Sequence, residues 1–202
     1  MKILHFFVDN IQKIGYNIIC RLMEFFSVIK GEPLMGKNME IERKFLIEMP
    51  EIPAADITRR LDIVQIYLND GENGCQRRIR KITENMKDTF MYTEKTFYSP
   101  IVRNEIETEI NEKQYNEFKC EARNNCSTVI KTRVCFNHLS QLFELDMYPF
   151  SDKLAILELE LDDPLQDIHF PEYVKVIKEV SDDSRYSNAA LCTAGKFPSE
   201  AS

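Results

Sequence analysis

Along the stretch MEIERKFLI, residues 39–47, charged side chains fall at every second position: Glu40, Glu42 and Lys44. Side chains two apart on a strand share a face, so this strand has one face lined with charge and the other with Ile41 and Phe45. The same pattern recurs down the chain. Arg78 and Arg80 share a face, as do Glu105 and Glu107 with Arg103 and Glu109 at the ends. Lys131 pairs with Arg133, Glu144 with Asp146, and Glu158 with Glu160, while Ile79, Ile106, Leu145, Leu159 and Leu161 fill many alternate positions. Lys95 is the only charge on a face with Thr93 and Met91.

The pattern predicts strands over 39–47, 63–70, 75–83, 89–97, 102–110, 127–136, 142–150 and 154–163. PEIPAADITRRLD reads as a turn and a short helix, and DGENG as a tight turn. Asn111 with Gln114 forms a capping-box signature, opening a helix to about Ala122. DPLQDIHFPEYVKVIKEVS predicts one or two helical pieces, and Asp183 or Ser184 caps a last helix to about Leu191, with Gly195 near its end. Residues 39–195 thus form one domain dominated by antiparallel hairpins, with 196–202 as a tail.

Residues 1–38 differ. Leu4, Phe7, Ile11, Ile14, Ile18, Leu22, Phe25 and Ile29 have helical spacing, but Asp9, Lys13, Arg21 and Glu24 interrupt it, so the segment is too broken to span a membrane. Two readings are open. It is an amphipathic helix lying on a membrane or on the domain, or translation starts at Met35 or Met39, since KGEPLMGKNMEIERK back-translates to a purine-rich stretch like a bacterial ribosome-binding site.

The net charge of −7 argues against a general nucleic-acid binder but allows a local basic site. The six cysteines contain no C-x-x-C pair and read as reduced packing residues of a cytoplasmic protein. The three histidines are far apart, which excludes zinc-ligand spacing; a metal here would be a hard cation, Mg²⁺ or Mn²⁺, on Asp and Glu.

Charged alternation usually marks a solvated face. Here each strand repeats one sign, and a sheet curled into a barrel would turn these faces inward. Basic residues with acid-held metal would then suit a polyphosphate.

The ordered set resembles the CYTH family, the triphosphate tunnel metalloenzymes. Glu40-Ile41-Glu42-Arg43-Lys44 matches the E-x-E-x-K signature. Gln65 and Tyr67, Arg78-x-Arg80, Lys95, Arg103-x-Glu105-x-Glu107, Lys131-Thr132-Arg133, Glu144-x-Asp146, Glu158-x-Glu160 and DDSRYSNAAL follow in order, over roughly 39–192. The resemblance implies an α+β, mainly β fold: an eight-stranded antiparallel closed barrel forming a tunnel, with peripheral helices. It implies phosphate contacts from Lys44, Arg78, Arg80, Lys95, Arg133 and Arg185. It implies metal on Glu40, Glu42, Glu158 and Glu160, with Glu144, Asp146, Glu105 and Glu107 as further candidates. Lys131 or Tyr67 would position the attacking water. Arg43 lies off that face, at the rim or in an outer ion pair.

The activity implied is metal-dependent hydrolysis of a small triphosphate, most like the short bacterial members that cleave inorganic tripolyphosphate to pyrophosphate and phosphate. The alternatives are a class IV adenylate cyclase, a thiamine or nucleoside triphosphatase, or a non-enzymatic polyphosphate or nucleotide binder. The absence of Trp removes an indole platform for an organic base. The expected partner is the small triphosphate, with no nucleic acid, no membrane unless residues 1–30 form a genuine amphipathic helix, and a monomeric or homodimeric state.

Overall fold

The computed structural model describes residues 39–199 except positions 127 and 164, and excepting the side chain of residue 73. The expectations for residues 1–38 lie outside the described residues. Among the described residues nine strands occur: β1 (Met39–Glu48), β2 (Ile57–Tyr67), β3 (Gln76–Glu84), β4 (Lys87–Phe97), β5 (Val102–Ile110), β6 (Val129–His138), β7 (Gln141–Met147), β8 (Leu154–Leu161) and β9 (Val176–Glu179). Two short helices, α1 (Glu112–Phe118) and α2 (Asn188–Ala194), complete the element set with three 3-10 turns. The sheet order is β5-β4-β3-β2-β6-β7-β8-β1-β9, and β1 also pairs with β5. That last pairing closes β1 to β8 into an antiparallel barrel, as expected, with β9 as an extra strand on β1.

Three expected elements differ. Residues 57–61, expected in a helix, begin β2; Thr58, Arg60 and Asp62 alternate with Ile57, Arg59 and Leu61, and β6 pairs along this stretch. Pairing with an existing strand outweighs a short helix with no cap. Residues 176–179, also expected as helix, are β9, because the edge of β1 is free to accept it once β5 has diverged. At the C-terminus, Asp183 caps only a 3-10 turn (Ser184–Tyr186), and Ser187 caps α2, which ends at Gly195 in the left-handed conformation, φ 62°. The expected capping box is present: Asn111 accepts from the Gln114 amide and the Gln114 side chain accepts from the Asn111 amide.

The barrel carries its apolar core on the outside and at one end. Outward-facing Ile79 and Leu68 pack under Tyr115 of α1 with Phe90 and Tyr92. On the other side Phe136 stacks on Phe143 with centroids 5.2 Å apart, and Phe170 closes edge-on over Phe45 at 5.0 Å. The inward faces turn apolar at one end: Leu46, Tyr67, Val129, Tyr148 and Ile156 meet Val180, Tyr186, Leu191 and Phe197. Phe197, expected in the tail, thus belongs to the plug that seals this end. Burying each such side chain contributes about 1.5–3 kcal/mol. The hydrophobic effect therefore works on the shell and the plug, which leaves the interior free for charge.

Candidate functional site

The interior is a cavity of about 770 Å³. Its wall carries Lys44 from β1, Tyr67 from β2, Arg78 and Arg80 from β3, Lys95 from β4, and Lys131 and Arg133 from β6, with Glu40, Glu42, Glu105, Glu107, Glu144, Glu158 and Glu160 among them. Strand pleat alone delivers this convergence, since each residue is two positions from the next inward one. Asp146 sits behind the wall with no accessible surface. Arg185 does not line the cavity: it is largely exposed and pairs with Asp183 at 2.6 Å. Its position in a 3-10 turn after the capping Asp183 directs it outward. Arg43 lies outside the barrel, paired with Glu179 at 2.5 Å and placed over the Phe45 ring.

The cations are held by the acids that surround them. Lys44 donates to Glu158 at 2.6 Å and lies 2.9 Å from Glu42. Arg133 reaches Asp146, Glu144 and Glu158. Lys131 is fully buried on Asp146. Arg78 donates to Glu105 at 2.8 Å, Arg80 to Glu107, and Lys95 pairs with Glu105. A residue outside the expected set stands at the centre: Arg103 bridges Glu40, Glu42 and Glu105. Its place two residues before Glu105 was the available signal. It joins the faces of β1 and β5 where the barrel closes.

Burial alone would raise Glu42, but Lys44 and Arg103 hold it at about 2. Glu158 is likewise held far below the carboxylate range against its burial, by Lys44 and Arg133. Glu40 moves the other way, to about 7, pushed up by burial and by the neighbouring Glu105 carboxylate. Lys95 is lowered to about 7 by burial and by the charges of Arg78 and Arg103. Burial also lowers Lys131, with Arg133 adding to it, and raises the Tyr67 hydroxyl.

Seven of the eight candidate metal carboxylates are therefore paired with cations: Glu40, Glu42, Glu105, Glu107, Glu144, Asp146 and Glu158. Among the described residues Glu160 forms no ion pair, and its carboxyl is raised by burial and by Glu144 and Glu42, against the lowering pull of Arg103. Glu42 and Glu160 face each other across the β1–β8 register, Lys44 and Glu158 one step further in. Glu42 Oε1, although buried, completes no hydrogen bond. Among the described residues no three acids or histidines stand in a finished metal cage. The hard oxygen donors of Glu42 and Glu160, opposite each other in the β1–β8 register with Glu40 on the same face, nonetheless suit a divalent cation.

No protein-family model and no curated protein matches the chain. Solved structures do. The inorganic triphosphatase NE1496 is 27% identical, over 76% of this chain and 94% of that one, with a TM-score of 0.48. The putative adenylyl cyclase HpAC1 from Hippeastrum, described as having a dominant triphosphatase activity, is 17% identical over 62% of this chain and 80% of its own, with a TM-score of 0.43. A putative adenylate cyclase from Bacillus halodurans is 15% identical over 64% of this chain and 84% of its own, with a TM-score of 0.41.

Proposed function

We propose that this chain is a triphosphate tunnel metalloenzyme that hydrolyses a small triphosphate, with inorganic tripolyphosphate as substrate and pyrophosphate and phosphate as products. The observation that carries the reading is the convergence of six cations, Lys44, Arg78, Arg80, Lys95, Lys131 and Arg133, from four strands onto one cavity. An ordinary soluble barrel fills its interior with apolar side chains. Here the interior is held apart by charge, and a polyanion of matching length would replace the carboxylates as partner to the arginines and lysines. Two arginines on β3 with adjacent guanidinium groups suit the oxygens of successive phosphates.

Glu40, Glu42, Glu158 and Glu160 would hold Mg²⁺ or Mn²⁺. When bound, such an ion would supply positive charge that offsets the charge developing on the phosphate oxygens. The chain's own groups align the terminal phosphorus: Lys44 and Arg133 from one side, Arg78, Arg80 and Lys95 from the other, so that catalysis comes from orientation and fixed charge. Lys131 and Tyr67, at the plugged end, flank the position of the attacking water. The plug excludes bulk water from that end.

Phosphate release from tripolyphosphate, ATP and thiamine triphosphate, with Mg²⁺ or Mn²⁺ and with chelator, tests the proposal. Metal-dependent release with tripolyphosphate preferred is the expected result. Phe97, half exposed on the cavity wall, gives an aromatic surface for an organic group, which is the reason ATP belongs in the panel. Tight binding of all three without turnover would make the protein a polyphosphate binder instead.

A further inference from the structure

The plugged end of the cavity carries an amide with a donor to spare. Asn188, the first residue of α2, lines the cavity and keeps 8% of its surface accessible. Tyr148 of the plug donates its hydroxyl to Asn188 Oδ1 at 2.7 Å, in a buried hydrogen bond. That bond fixes the plane of the amide and occupies its acceptor. Nδ2 still carries two N–H groups, and among the described residues it donates to no side chain or carbonyl. Capping does not explain the residue. Ser187 caps α2 by accepting from the Ala190 amide, so the helix start makes no demand on the Asn188 side chain.

The neighbours say what the donor meets. Tyr148 packs in one cluster with Tyr67 and Val129. It stands two residues beyond Asp146, whose carboxylate takes the Lys131 ammonium. The Tyr148–Asn188 pair therefore belongs to the end of the cavity where Tyr67 and Lys131 lie. A triphosphate gripped by the cations along the wall presents the oxygens of its terminal phosphoryl group to that end. The ammonium groups there are already shared with carboxylates, Lys131 with Asp146 and Lys44 with Glu42 and Glu158. A neutral amide adds N–H donors for phosphate oxygens without adding a further charge that the free protein must pair.

We propose that Asn188 is a substrate-binding residue for the terminal phosphoryl group: its Nδ2 donates to a non-bridging oxygen of the phosphate that reaches the plugged end. Tyr148 is the positioning residue behind it, holding the amide so that the donor faces the cavity. The plug then sets how far the row of phosphates enters, because its last contact is a fixed hydrogen bond. The inference rests on the triphosphatase reading above.

The test compares Asn188→Leu, Tyr148→Phe and the double variant on the full chain. Binding of the imido-bridged, non-hydrolysable analogue of tripolyphosphate is measured by calorimetry in chelator, with turnover and thermal melting alongside. Asn188→Leu is expected to weaken analogue binding about 10- to 100-fold, the scale of one hydrogen bond to a charged group, and to lower the melting temperature by leaving the Tyr148 hydroxyl unpaired. Tyr148→Phe keeps the donor but frees its plane, and is expected to weaken binding less, about threefold. The double variant leaves neither partner unpaired and should regain the stability lost in Asn188→Leu, yet bind the analogue no better. Were the pair merely structural, binding would return with stability, and that result overturns the proposal. So does a fall in kcat with analogue affinity unchanged, since the amide would then serve the water. Should the Leu variants not fold, Asn188→Asp keeps the acceptor for Tyr148 and removes the donor; analogue affinity is expected to fall at least tenfold, and unchanged affinity overturns the proposal. A wild-type protein that does not bind the analogue overturns the reading of the site itself, before any variant is compared.

Discussion

Asp146 receives two hydrogen bonds from the Arg133 guanidinium, from Nε at 2.7 Å and from Nη2 at 2.8 Å, and has no accessible surface. Lys131 donates to the same carboxylate. One acid thus fixes two cations of the candidate site from behind. Asp146→Asn leaves a buried cluster one charge short. Breaking a buried pair in this way costs about 3–5 kcal/mol, and urea unfolding at pH 7.5 should show a loss of that size. A loss under about 1 kcal/mol would mean that the cluster is solvated and the barrel interior open.

The contrast with Glu160 is direct. It lies toward the cavity mouth and forms no ion pair among the described residues, and burial together with Glu144 and Glu42 raises its carboxyl. A raised folded-state value means the folded protein holds the proton more tightly. The stability this contributes is present at low pH and lost as pH rises through the folded value. Glu160→Gln should therefore leave stability at pH 7.5 unchanged or slightly higher, and flatten part of the wild-type decline above the ordinary glutamate range. If Glu160 holds metal, Mn²⁺ affinity should fall on the order of tenfold, read by titration of the ion's paramagnetic signal. Unchanged affinity would remove Glu160 from the metal set.

Much of this was legible in the sequence. Charged alternation on Glu40-x-Glu42-x-Lys44 and Arg78-x-Arg80 identified inward faces, because a pleat leaves only two choices and the apolar alternates needed cover. Asn111 and Gln114 announced their capping box by spacing. What stayed hidden depended on partners distant in the chain. Residues 57–61 became strand because β6 lay ready to pair with them. The β3–β4 and β6–β7 turns use Asn85-Met86 and Leu139-Ser140, all four with φ between 47° and 65°, where glycine is the usual signal. Arg103 read as the end of an acidic strand; only barrel closure beside β1 makes it the hub of Glu40, Glu42 and Glu105.

Lys95 supplies a pH-dependent expectation. Its ammonium is lowered to about 7 by burial and by Arg78 and Arg103, so at pH 8 a large fraction of the free protein carries it neutral. A triphosphate in the cavity would favour the charged form and raise its value. Binding of the imido-bridged analogue in chelator should then take up protons at pH 8 and far fewer at pH 6, where Lys95 is already charged. Calorimetry in buffers of different ionisation enthalpy reads the number. Lys95→Met should abolish the uptake at pH 8, and an uptake that survives in the variant would assign it to another group.

The register of β1 can be tested on three consecutive residues. Glu42 and Lys44 face the cavity, and Arg43 between them faces outward, where it pairs with Glu179 and covers Phe45. An exposed pair of this kind contributes about 0–1 kcal/mol, with a little more from the ring contact. Arg43→Ala should therefore change stability by no more than about 1.5 kcal/mol and leave turnover within about twofold, since it touches nothing inside the barrel. Glu42→Gln and Lys44→Met should each lower turnover at least tenfold, because a preorganised charge aimed at the reacting group is worth several kcal/mol. Circular dichroism on all three variants separates lost folding from lost chemistry. A slip of one position in register would reverse the pattern, with Arg43 essential and its neighbours silent; the three rates measured side by side therefore decide which face of this strand meets the substrate.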